Sequence, residues 1–165
     1  MKKITKLKSN LLTTFLSFLL IIPIIFTPTI TYAQISETEI NGELINASSE
    51  FLRDLDYETW QLVAYKSPIY EDKLILRVIG YPGSLRIDHP LNMNVYSGRK
   101  EWFLYDKTSL NKNLLNDSRQ AAAEFDLEML MSDLEKNRPL RLSLPGVFSE
   151  LPVPPFLVKE WRSLN

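Results

Sequence analysis

The sequence has no cysteine, one histidine and only five glycines among its 165 residues. Each scarcity removes a class of chemistry. Without cysteine there is no disulfide framework, no thiolate nucleophile and no lipoprotein anchor, so an exported chain of this composition must hold together by core packing. One histidine and no cysteine also exclude ordinary zinc sites. The glycines form neither a Gly-x-Gly-x-x-Gly turn nor a phosphate loop, which leaves no nucleotide cradle. An excess of basic residues is missing too: 19 Lys and Arg face 20 Asp and Glu. Nucleic acid, which demands a basic footprint, is therefore not an expected partner. No cofactor and no metal is expected.

Long apolar runs are absent except at the N-terminus. Lys2, Lys3, Lys6 and Lys8 precede "LLTTFLSFLLIIPIIF", and no further charge occurs until Glu37. The segment "TPTITYAQ" follows, with Thr31 and Ala33 standing where a signal peptidase requires small residues. The pattern predicts a signal peptide over residues 1–33 and a mature chain beginning at Gln34. No Arg-Arg pair directs it to the twin-arginine route. The competing reading is an uncleaved anchor, since the run reaches the ~20 residues a span needs; Pro23 and Pro28 interrupt its far half. With the leader removed, fifteen basic and twenty acidic residues remain, giving a charge of about −5, and no integral membrane span is expected.

Residues 34–49, "QISETEINGELINASS", read as a polar, acidic N-terminal arm, and residues 50–165 as a single domain. "SSEFLRDL" suggests a short helical turn capped by Ser48 or Ser49. The period then changes to two. "TWQLVAYK" (59–66), "KLILRVIGY" (73–81), "SLRID" (84–88), "MNVYS" (93–97) and "EWFLYD" (101–106) are rich in β-branched and aromatic residues and separated by turn chemistry. Leu74, Leu76 and Val78 share one face of the second segment, with Ile75, Arg77 and Ile79 on the other, as in a central strand covered on both sides. "AAAEFDLEMLMSDLEKN" (121–137) takes a helical period, with Leu127, Leu130, Met131 and Leu134 as its apolar stripe and Glu124, Asp126 and Glu128 as surface charge. "LRLSL" (140–144) alternates again. The tail ends in a short helix with Leu157, Trp161 and Leu164 on one side. The expected fold class is α+β: a curved antiparallel β-meander of about five or six strands with one packed helix and a short C-terminal helix.

Candidate sites are few. His89 follows Asp88 in "RIDHP", but alternation from Leu85 through Ile87 puts His89 on the apolar face and Asp88 on the opposite one. A structural histidine with a local hydrogen bond is the expectation; a hydrolase using Asp88 and His89 is the lesser one. Asp54, Asp56 and Glu58 resemble the start of a calcium loop. Thr59 occupies the obligatory glycine place and Tyr65 that of the bidentate Glu, so a solvated acidic edge is expected. "SLNK" (109–112) matches Ser-x-x-Lys without its companion motifs. Two segments are candidate partner-binding elements: Tyr81, Pro82 and Gly83 at a hairpin tip, and the proline-rich stretch containing Val153, Pro154, Pro155 and Phe156.

Taken together, "WQLVAYK", "LRVIGYPGSLRIDHPLNM", "AAEFDLEMLMSDL" and "LPVPPFLVKEWRSL" resemble an uncharacterised family of small exported proteins of cyanobacteria, over roughly Glu50 to Leu164. The resemblance implies a periplasmic or thylakoid-lumen destination and brings no catalytic residue or cofactor. The functional expectation is a non-enzymatic accessory protein that binds a protein partner, with a photosynthetic membrane complex among the candidates. The alternative is a binder of a small apolar ligand, lined by Tyr65, Trp102 and Tyr105. The oligomeric state is not legible.

Overall fold

A computed structural model of the chain describes residues 35–81, 87–116 and 121–164. The expected leader lies outside these residues, as do Pro82 and Gly83 and most of the segment 84–88. Nine strands are formed among the described residues: β1 (Ile35–Ile40), β2 (Glu43–Arg53), β3 (Thr59–Ser67), β4 (Lys73–Ile79), β5 (Met93–Ser97), β6 (Lys100–Leu104), β7 (Ala122–Asp126), β8 (Leu140–Leu144) and β9 (Phe148–Val153). Three helices accompany them, α1 (Lys112–Asn116), α2 (Glu128–Asp133) and α3 (Pro155–Leu164), with 3-10 turns at Pro68–Tyr70 and Thr108–Leu110. The fold class is α+β, built on antiparallel sheets.

The strands form two sheets, β1-β2-β3-β4-β7 and β6-β5-β8-β9, rather than one meander of five or six strands. All pairings are antiparallel. An isolated bridge between Asp106 and Phe125 joins the end of the β6 segment to β7. The Leu55 amide donates to the Glu150 carbonyl of β9 at 3.3 Å. One apolar cluster fills the space the sheets share. It takes Leu62, Leu76 and Val78 from the first sheet, Val95, Leu142 and Leu151 from the second, and Leu157 and Trp161 from α3. Burying side chains of this size is worth roughly 1.5–3 kcal/mol each. A smaller cluster of Ile40, Ala47, Val63, Tyr65, Tyr70 and Ile75 lies on the other face of the first sheet. The central strand β4 is thus covered on both sides, as its two apolar faces predicted.

Three sequence expectations give way. Residues 35–49, read as an arm, form β1 and most of β2, and the supposed helical turn around Ser48 and Ser49 is strand. The turn between them explains it: Asn41 and Gly42 both take positive φ, 55° and 89°, the geometry of a tight two-residue hairpin. Ala47 and Ser48 are fully buried, and the Ser48 hydroxyl donates to Glu160 of α3 at 2.7 Å. Second, the helix read over 121–137 is strand as far as Asp126 and helix only over Glu128–Asp133. The apolar stripe itself is buried as expected, Leu127 through Leu134. Third, Ile87 and Asp88 lie outside any strand.

Trp60 shows how closely the two sheets are fitted. Its indole N–H donates to Asp54 at 2.8 Å, and its ring meets Phe148 edge-on with centroids 5.0 Å apart. Asp54 is no solvated edge: it is buried, and it also accepts the Asp56 and Glu58 amides at 2.9 Å each. It closes the β2–β3 turn from within.

Candidate functional site

Register on the outer face of the first sheet brings charge together. In the β4–β7 pairing Arg77 stands directly opposite Glu124, and Ile75 opposite Asp126; in β3–β4, Tyr65 is opposite Ile75. Alternation puts all five side chains on one face. Glu124, read as helix-surface charge, is fully buried. The reason is its strand: β7 sends Ala123 and Phe125 into the main core, so Glu124 must face the other way, into the smaller cluster.

Every donor in reach turns to the Glu124 carboxylate. The Arg77 guanidinium reaches Oε1 through Nε at 2.8 Å and through a terminal nitrogen at 2.7 Å. The Tyr65 hydroxyl donates to the same oxygen at 2.5 Å, and the Tyr70 hydroxyl donates to Oε2. The Asn111 amide straddles both oxygens at 3.3 and 3.2 Å. Arg77 also donates to the Tyr65 oxygen at 2.9 Å, and its guanidinium lies 5.3 Å from the Tyr65 ring centroid. A buried charge is tolerated only when paired and bonded in this way. Burial foremost, then the Glu124 carboxylate, pushes the Tyr65 phenol well above its ordinary 10.0, against the lowering pull of Arg77. Burial and the hydrogen bond to Glu124 do the same to Tyr70.

A second cluster continues from the first. The Glu124 amide donates to the Thr108 hydroxyl at 2.9 Å, and that hydroxyl donates to Asp106 Oδ1 at 2.5 Å. Asp106 Oδ2 accepts the Leu91 amide at 2.8 Å and meets His89 Nδ1 at 2.7 Å. Burial opposes ionisation of Asp106, but the bonds from Thr108, His89 and the Leu91 amide outweigh it and hold its pKa below the ordinary 3.8. The histidine is hydrogen-bonded, but to Asp106, 17 residues along the chain, and not to a local group as expected. Thr108 is fully buried and its proton is committed to Asp106. It is not offered to the imidazole, so the trio is not a nucleophile–base arrangement.

One surface cleft borders this network, and a second adjoins the first. One, of about 230 Å³, is lined by Tyr70 together with Lys73, Lys107 and Asp126 and three aliphatic side chains. The other, of about 190 Å³, lies among Phe103, Tyr105, Met129 and Glu128 and meets the first at Asp126. Phe103 is 49% exposed, Tyr105 58% and Met129 65%. The two rings form an edge-to-face pair with centroids 5.7 Å apart. The aromatic residues expected to line an apolar pocket fall at three separate places. Tyr65 is in the Glu124 cage, Trp102 is buried with its indole N–H on Asp133 at 2.8 Å, and Tyr105 is on the surface.

The segments singled out from sequence are placed as follows. Tyr81 is exposed, and Pro82 and Gly83 lie outside the described residues. Val153 is buried in the main core at the end of β9, Pro154 is half-buried, Pro155 is exposed at the first position of α3, and Phe156 packs against the core. The stretch runs straight from strand into helix. Among the described residues no group of three or more Asp, Glu or His is arranged to hold a metal ion, and no helix is long and apolar enough to cross a membrane.

Sequence reasoning missed the Glu124 cage and the Phe103–Met129 surface. The signal for the first was the alternation of Ala123, Phe125 and Leu127 against Glu124 and Asp126. Comparison with curated proteins and with solved structures finds no match to this chain. One family model matches, over residues 33–164, described as "Protein of unknown function (DUF3122)". The chain, matched over its whole described part, belongs to the DUF3122 family.

Proposed function

We propose that this chain is a non-enzymatic, exported accessory protein that docks a protein partner in the periplasm or thylakoid lumen, a photosynthetic membrane complex being one candidate. Export rests on the basic, apolar and small-residue succession of residues 1–33. Docking rests on one observation: Phe103, Tyr105 and Met129 stand exposed around a cleft on the edge strand β6 and the start of α2. Exposed aromatic and methionine side chains gathered at one concavity are the composition of an interface centre rather than of an ordinary surface. The groups of the Glu124 and Asp106 networks are mutually satisfied, which supports a binding role over a catalytic one.

The test is site-specific photo-crosslinking in the native host. A benzophenone amino acid at Phe103 is expected to yield one dominant protein adduct, absent when it replaces the exposed Leu44 next to the β1–β2 turn. Met129→Ser should reduce that adduct without changing the melting temperature. Equal labelling from both positions, or none from Phe103, would sink the reading.

A further inference from the structure

We propose that the cleft of about 230 Å³ beside Tyr70 binds a free zwitterion of amino-acid size with an apolar side chain. The volume lies below the ~300 Å³ at which pockets for drug-sized ligands begin, so the occupant is small. The lining divides into two kinds. Ile69, Ile75 and Leu110 supply an aliphatic wall; Lys73, Lys107, Glu71 and Asp126 supply two charges of each sign. Among the described residues neither lysine ammonium makes a hydrogen bond or ion pair, and neither does the Glu71 carboxylate; the Lys107 backbone carbonyl accepts the Tyr70 hydroxyl at 3.1 Å. The carboxylate of Asp126 accepts only the Glu128 amide, at 3.1 Å. Oppositely charged groups at a surface need not pair, since water solvates each of them. Here they share a concavity without pairing, and a molecule carrying one ammonium and one carboxylate would complement both.

The cleft is also held ready. Tyr70 is fixed by its bond to the buried Glu124, and the β4–β7 register places Asp126 two residues from that anchor on the same face. At the rim, Glu71 and Asp72 both take φ of 59°, a left-handed conformation that side-chain-bearing residues seldom adopt twice in succession. A floor and rim set in advance reduce the ordering cost of binding. This site lies beside the cleft assigned to partner docking and shares Asp126 with it.

Calorimetric titration of the full chain with L-leucine, 4-methylpentanoate and 3-methylbutylamine presents one alkyl group with both charges, with the carboxylate alone and with the amine alone. L-leucine is expected to bind about tenfold or more tightly than either analogue, since each removes a charged hydrogen-bonding group. It should shift the methyl resonances of Ile69 and Ile75. Lys107→Gln should weaken L-leucine by roughly tenfold at an unchanged melting temperature. Comparable binding of all three compounds, no binding of any, unmoved Ile69 and Ile75 methyls, or a Lys107→Gln variant that binds L-leucine as the wild type does would overturn the proposal.

Discussion

Glu124 keeps a carboxylate inside the protein by drawing donors from four separate parts of the chain. Its neighbours depend on it in turn, because Arg77 is itself largely buried, with 12% of its side chain exposed. Removing one member of a buried pair leaves the other charge stranded. Glu124→Gln is therefore expected to lower stability by about 3–5 kcal/mol in denaturant titration, whereas an exposed acid such as Glu39 should change it little. The tyrosines give a pH dependence with a definite sign. Their folded pKa values are raised above the unfolded value of 10.0. Their contribution to stability is therefore complete below that pH and is lost as the pH climbs above it through the folded values. Alkaline titration followed by phenolate absorbance should show two of the seven tyrosines ionising only together with loss of circular dichroism. Ionisation of all seven in the folded state would contradict the cage.

At the scale of elements, five of the nine described strands were legible because alternation and turn chemistry agree over 59–66, 73–81, 93–97, 101–106 and 140–144. β7 was not, because "AAAEF" carries high helical propensity and runs into a true helix at Glu128; only the unpaired edge of β4 decides its state. The β1–β2 hairpin was obscured by its polar composition, although Asn41-Gly42 is the strongest short hairpin signal the chain contains. The candidate site was illegible for a related reason: its parts come from β3, β4, β7 and the 3-10 turns, and only register brings them together. Gly80, just past β4, shows what such closeness demands. A Cβ there would lie 2.8 Å from the Trp60 ring and 3.2 Å from Ala121. Trp60 cannot yield, pinned as it is by Asp54 and Phe148. Gly80→Ala should cost about 1–3 kcal/mol as overpacking and lower the melting temperature while the secondary-structure spectrum stays native-like.

At the scale of the whole described fold, both sheets and α3 contribute to the main apolar cluster, so opening either sheet exposes it and leaves the first sheet only the smaller cluster on its outer face. Thermal unfolding monitored by tryptophan fluorescence and by far-ultraviolet circular dichroism should give one coincident transition. Separate midpoints would mean that the sheets are separable units.

The pairing of Arg77 with Glu124 also polices strand alignment. Sliding β7 by a single residue against β4 would turn Phe125 outward and drive an ionised side chain into the oily interior, with no guanidinium to meet it. The alanines that precede Glu124 would tolerate such an error; the carboxylate does not. A carboxylate that is costly to dehydrate thus acts as a proofreader, admitting one alignment and rejecting its nearest neighbours.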